Sequence, residues 1–168
     1  NGNSHLIKYG TRNDQGWTIQ TVNSHQTDAT SLSFSANGHP AISYWNENGK
    51  KLYFAAYDGA AWDRTLIDEV SSFEYGFTSL KHDANGNPAI AYSEINSPFL
   101  KYALYDGENW NISQIEEDTG HIYGPSLSFN TEGKPAISYY GSEQQKSSLR
   151  YAEHDGNTWN IQTIEDGS

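Results

Sequence analysis

LKYALYDGENWNISQI, residues Leu100 to Ile115, is an alternating run, an Asp-Gly turn and a second run opened by Trp110. Related stretches recur at Leu52 to Ile67 (LYFAAYDGAAWDRTLI), at Leu149 to Ile164 (LRYAEHDGNTWNIQTI) and, more loosely, at Ile7 to Val22 (IKYGTRNDQGWTIQTV). In each, an aromatic stands eight residues before the Trp: Tyr9 and Trp17, Phe54 and Trp62, Tyr102 and Trp110, Tyr151 and Trp159. The last three Trp positions lie 48 and 49 residues apart. A fixed period of this length marks a repeat architecture, in which each unit buries its apolar face against the next.

A second hairpin type alternates with the first. It reads SLSFSANGHPAISY at Ser31 to Tyr44, SLKHDANGNPAIAY at Ser79 to Tyr92 and SLSFNTEGKPAISY at Ser126 to Tyr139. Gly38, Gly86 and Gly133 each precede a proline by two residues. The glycine permits a left-handed turn, and the proline opens the returning strand, where its missing N–H is tolerated. Alternation puts Leu32, Phe34, Ile42 and Tyr44 on one face and Ser31, Ser33, Ala41 and Ser43 on the other. The second face is small, as expected for strands crowded towards an axis.

One Pro-Ala-Ile hairpin and one Asp-Gly-Trp hairpin make a four-stranded unit of about 48 residues. No stretch shows sustained helical spacing, and turn signals come too often for helices. The chain is therefore expected to be all-β. Four antiparallel strands per repeat is the arrangement of a β-propeller blade. The SLSF…GxPAISY and LKYAxYDGxxW motifs resemble those of bacterial β-propellers of the extracellular, lectin-like kind, over nearly the whole chain from Ile7 to Ile164. This resemblance implies a secreted or cell-surface setting. The hairpin inventory gives one partial propeller domain over 1–168: a half-blade at 6–23 and complete blades at 30–68, 78–116 and 125–165. Such an arc leaves sheet edges and apolar blade faces uncovered. A homo-oligomer, or membership of a longer propeller chain, is expected over a free monomer.

Composition narrows the function. The net charge of −11 argues against nucleic acid, which needs clustered Lys and Arg on phosphates. Without cysteine there is neither a disulfide framework nor a thiolate metal site. No apolar run reaches the roughly 18 residues of a membrane-spanning helix. The chain lacks Met even at position 1, which suggests processing or a fragment. Hydrophobic residues are 35% and aromatics 14%, so the core must lean on rings.

The Trp series (Trp17, Trp62, Trp110, Trp159) reads first as a structural repeat core, with Trp62 and Trp110 expected to be largely buried. The other reading is a ring of sugar-stacking platforms. Asp58, Asp106 and Asp155 precede Gly in tight turns, where Asp bonds its own backbone; a cation site is the less favoured reading, and no metal or cofactor is expected. Asp83 to Asn87 has the alternating oxygens of a calcium loop but no later bidentate Glu, and reads as an ordinary turn. Function in repeat proteins concentrates in loops that differ. The candidate ligand residues are therefore those of the joints: Trp45, Glu47, Phe73, Tyr75, Glu94, His121, Tyr123 and Tyr140, with His25, Glu74 and Glu143 beside them. Both sets of joints should emerge on one face. Aromatics beside carboxylates there suit carbohydrate, whose apolar faces stack and whose hydroxyls bond polar groups. The leading expectation is a non-catalytic, lectin-like binding module for a glycan. The alternative is a structural or protein-binding propeller segment of a larger extracellular protein. A glycoside hydrolase ranks last: no Gly-x-Ser-x-Gly or His-Glu-x-x-His occurs, and Arg12, Arg64 and Arg150 lie outside the joints. No catalytic residue is assigned.

Overall fold

A computed structural model describes residues 6–24, 27–46, 50–70, 76–94, 97–117, 120–143 and 146–167, with only the backbone of Asp28 and Glu143. Among the described residues there are fourteen strands and no helix. In chain order they are β1 (Ile7–Asn13), β2 (Gly16–Asn23), β3 (Thr27–Phe34), β4 (Pro40–Asn46), β5 (Lys51–Tyr57), β6 (Trp62–Glu69), β7 (Gly76–His82), β8 (Pro88–Glu94), β9 (Phe99–Tyr105), β10 (Trp110–Glu117), β11 (His121–Phe129), β12 (Pro135–Glu143), β13 (Lys146–His154) and β14 (Trp159–Asp166). They form three four-stranded antiparallel sheets, ordered β3-β4-β5-β6, β7-β8-β9-β10 and β11-β12-β13-β14, and one two-stranded sheet, β1-β2. The first strands of successive sheets, β3, β7 and β11, are neighbours across the sheet boundaries, so they form the inside of an arc of blades.

Two kinds of turn share one end of every blade. In the Pro-Ala-Ile hairpin, Gly38 N–H donates to Ser35 O and Ser35 N–H to His39 O, both at 2.9 Å. Gly38 stands at φ +77°, a conformation that would strain a side chain. In the Asp-Gly hairpin the carboxylate folds back on its own turn: Asp58 Oδ1 accepts from the Ala60 and Ala61 amides, both at 2.7 Å. Asp106 and Asp155 do the same with Glu108 and Asn109, and with Asn157 and Thr158. These hydrogen bonds hold all three carboxyls below their ordinary range. Asp83 likewise accepts from the Asn85 and Asn87 amides, an Asx turn. The connections between hairpins lie at the other end. There the strands run further than alternation suggests: β3 and β11 continue through irregularities at Asp28/Thr30 and Tyr123/Ser126, which break the pattern a sequence can show.

Large blade faces pack on small ones. Leu80, Ile90 and Tyr92 join Ala41 and Trp45 of the preceding blade in one apolar cluster. Leu127, Ile137 and Tyr139 join Ala89 and Ala91 in another. The serines of the small face have a second use. Leu80 N–H donates to Ser31 Oγ at 3.0 Å, and Leu127 N–H to Ser79 Oγ at 2.9 Å. Inner-edge amides with no further strand to pair with are thus satisfied from the blade before. Further out, each junction carries a charged clasp. Asp68 accepts from Tyr92 Oη at 2.8 Å and Lys101 Nζ at 2.9 Å, and at the next junction Glu116 accepts from Tyr139 Oη at 2.5 Å and Arg150 Nη1 at 2.7 Å. Burial first, and the Asp68 charge second, raise the Tyr92 hydroxyl far above its usual range, which keeps it a donor. At the first junction Asn23 holds the carboxylate's place and accepts from Arg64 Nη1 at 2.8 Å.

The two-stranded sheet occupies the outer half of a blade. Tyr9 of β1 meets Trp62 edge-on at 5.6 Å, as Tyr102 meets Trp159 at 5.3 Å, and Phe54 meets Trp110 in the same place, tilted, at 5.2 Å. Trp17 departs from the expected structural role. Its ring is 67% exposed, because no blade among the described residues precedes it.

Candidate ligand grooves between blades

The fourth strand of each blade begins with its Trp, directly after the Asp-Gly turn, so the ring stands at the turn end of the blade. Strand pairing sets an aromatic opposite it: Tyr57 faces Trp62, Tyr105 faces Trp110, His154 faces Trp159. The preceding blade supplies a second ring. Trp62, Trp110 and Trp159 are partly buried, each packed against the apolar cluster of its junction, and Trp110 and Trp159 each border a groove.

The first groove, about 490 Å³, lies between blades β3–β6 and β7–β10. Phe54, Tyr57, Tyr105 and Trp110 give it apolar walls, and Asp63, Thr65, Glu108, His39 and His82 give it polar groups. His82 Nδ1 lies 3.0 Å from Ser33 Oγ, and burial lowers the pKa of its imidazole. The second groove, about 300 Å³, lies between β7–β10 and β11–β14. Its lining answers the first position by position: Tyr102 for Phe54, Asn111 for Asp63, Ser113 for Thr65, Phe129 for His82, His154 for Tyr105 and Trp159 for Trp110. The exchange of Phe54 for Tyr102 brings in a hydroxyl. Tyr102 Oη is shielded from solvent and has no hydrogen-bond partner among the described residues. Desolvation raises its pKa, so it stays protonated.

Both grooves open among the turns, opposite the joints from which the sequence drew its candidates. Of those candidates, Trp45 is 3% exposed; its Nε1–H donates to Phe77 O at 3.3 Å and its ring meets Tyr92 edge-on. It fills a blade junction and offers no open platform. Glu94 is buried, with its carboxylate 3.9 Å from Lys101 Nζ. His121 is half-buried and meets Tyr123 edge-on at 6.1 Å, and Tyr123 in turn meets Phe77 at 6.0 Å. Tyr140 is 53% exposed. Glu47, Phe73 and Tyr75, with His25 and Glu74, lie outside the described residues, as does the side chain of Glu143. Sequence reasoning missed the groove rings Tyr57, Tyr105 and His154. Their signal was an aromatic or His directly before each Asp-Gly pair.

No protein-family profile and no curated protein matches the chain. Solved structures do. A fucose lectin from Kordia zhangzhouensis, in complex with methyl-fucoside, superposes with a TM-score of 0.57 at 14% identity, over 80% of this chain and 97% of that one. AofleA from Arthrobotrys oligospora gives 0.66 at 14% identity, over 99% of this chain. A candidate 6-phosphogluconolactonase from Bacteroides uniformis gives 0.59 at 9% identity, over 99% of this chain. The chain spans about half the length of these last two, 52% and 55%. Likeness at such identities speaks for the fold. Together with the sheet order, it makes the chain an arc of a β-propeller: three four-stranded blades and the outer hairpin of another.

Proposed function

We propose that this chain is a non-catalytic carbohydrate-binding module that holds glycans in the inter-blade grooves of its turn face. One observation carries the reading: two successive junctions repeat a groove in which a partly buried Trp stands beside polar side chains. Sugar rings present C–H faces to aromatics and hydroxyls to carboxylates, amides and phenols, so each groove offers both halves of that chemistry. The likeness to a lectin bound to methyl-fucoside supports the same ligand class. Repetition fits weak sites that gain from multivalent display. A secreted or cell-surface setting is in keeping with a glycan partner of this kind.

Titration of methyl-fucoside and a panel of other monosaccharide glycosides, followed by calorimetry and NMR, tests this. Saturable binding is expected, with perturbed indole resonances of Trp110 and Trp159. Asn111→Ala removes an exposed amide from the lining of the second groove. It should weaken binding in the second groove roughly tenfold. Asp63→Ala should do likewise in the first groove. Binding unaltered by both substitutions, or a protein partner captured with no response to any glycan, would overturn the reading.

A further inference from the structure

The first junction is incomplete in a specific way. At the other two, the leucine of the inner strand is sealed: Leu80 and Leu127 are each 1% exposed. The equivalent Leu32 is 48% exposed and Phe34, two residues on, 52%. The apolar cluster of this junction contains Ile7, Val22, Ile42, Tyr44 and Ala55 but no alanine from a second strand, where the others have Ala41 or Ala89. Among the described residues, the edge of β1 away from β2 is also unpaired. Its counterparts β5, β9 and β13 each pair there with the second strand of an inner hairpin. Among the described residues no serine caps the Leu32 amide in the way that Ser31 caps Leu80 and Ser79 caps Leu127. Yet the outer hairpin already sits as a blade's outer half should, with Tyr9 on Trp62. What is open is therefore a slot with a defined floor (Leu32, Phe34), a defined wall (β1) and a defined register.

We propose that this slot is a docking site for a β-hairpin of the chain's own inner type, Ser-Leu-x-x…Gly-x-Pro-Ala-Ile-x-Tyr, which adds to β1 and covers β3. The register follows from the complete blades. There Ala41 pairs with Ala56, Ile42 with Ala55, Ser43 with Phe54 and Tyr44 with Tyr53. An incoming Ala-Ile-Ser-Tyr would accordingly meet Thr11, Gly10, Tyr9 and Lys8 of β1. Its inner-strand serine would accept from the Leu32 amide. Its small face would cover Leu32 and Phe34, as Ser31 and Ala41 lie under the next blade. Strand addition of this kind takes affinity from main-chain bonds and specificity from alternate side chains. The inference does not depend on glycan binding.

The test prepends the sequence of Gly76 to Glu94 to the full chain before Asn1. Residues 1–6 then serve as the joint, which in the first complete blade is residues 47–50. Amide hydrogen exchange is measured on the chain with and without the added hairpin, at equal concentration. The added hairpin should slow exchange at Lys8 to Arg12 and at Leu32 by roughly tenfold or more and should raise the melting temperature. Leu32→Asp, at an exposed position, should leave the parent chain folded and abolish the gain. An added hairpin that exchanges freely and leaves β1 and Leu32 unchanged would overturn the proposal. So would protection of these amides in the parent chain that rises with its concentration, because a second copy would then be the occupant.

Discussion

Gly76 shows how tightly one position can be fixed. A Cβ there would lie 2.8 Å from Ser93 O and would collide with the Trp45 indole. Gly76→Ala should cost about 1–3 kcal/mol through overpacking, read as a lower urea midpoint at unchanged slope. Tyr92 is the polar counterpart. Its hydroxyl and Lys101 share the Asp68 carboxylate. Tyr92→Phe should cost about 1.5–3 kcal/mol, the range for a hydrogen bond to a charged acceptor. Neither role was legible in the sequence. Trp45 looked like a loop aromatic because it falls at a strand end beside a joint, and only the neighbouring blade turns it inward. Trp17 shows the reverse: it shares the repeat's motif, but its surroundings depend on a neighbour that no local pattern encodes.

The hairpins were the most legible elements, because strand alternation and turn chemistry are both local. Each Asp-Gly turn places its carboxylate under backbone amides, and this sets a pH response. Asp58, Asp106 and Asp155 titrate lower when folded than their ordinary value of 3.8. The unfolded chain thus takes up protons first as pH falls. The stability these turns contribute is complete above about pH 4 and is lost as pH drops through the folded values. Thermal melts should show a midpoint falling steeply below about pH 4. Asn at all three positions should flatten that slope, since an amide accepts the same bonds without titrating. The grooves were less legible than the turns. Each is assembled from two blades about 50 residues apart in sequence, and loops that differ drew attention away from strand ends that repeat.

Across the whole molecule, packing is uneven. Among the described residues, the blade β7–β10 is flanked on both sides, whereas β1-β2 has one neighbour and an open edge. In repeat proteins stability is close to a sum of unit and interface terms, so opening should begin where interfaces are fewest. Native-state hydrogen exchange should find the slowest amides in β8 and β9 and the fastest strand amides in β1 and β2. Equal protection throughout would show one cooperative unit.

The large-on-small stacking of the blades has a further consequence. Both interfaces between complete blades join the leucine side of one blade to the serine side of the one before, so the arc has a direction, like a stack of cups. Duplication or deletion of one 48-residue unit in the coding sequence leaves each surviving contact of the same type. An added blade finds its seat ready-made, and an inverted one finds leucine facing leucine with inner amides uncapped. Lineages built on this repeat can therefore change blade number by in-register recombination without inventing a new interface. What changes with each such step is the angle of the arc and the number of grooves along it.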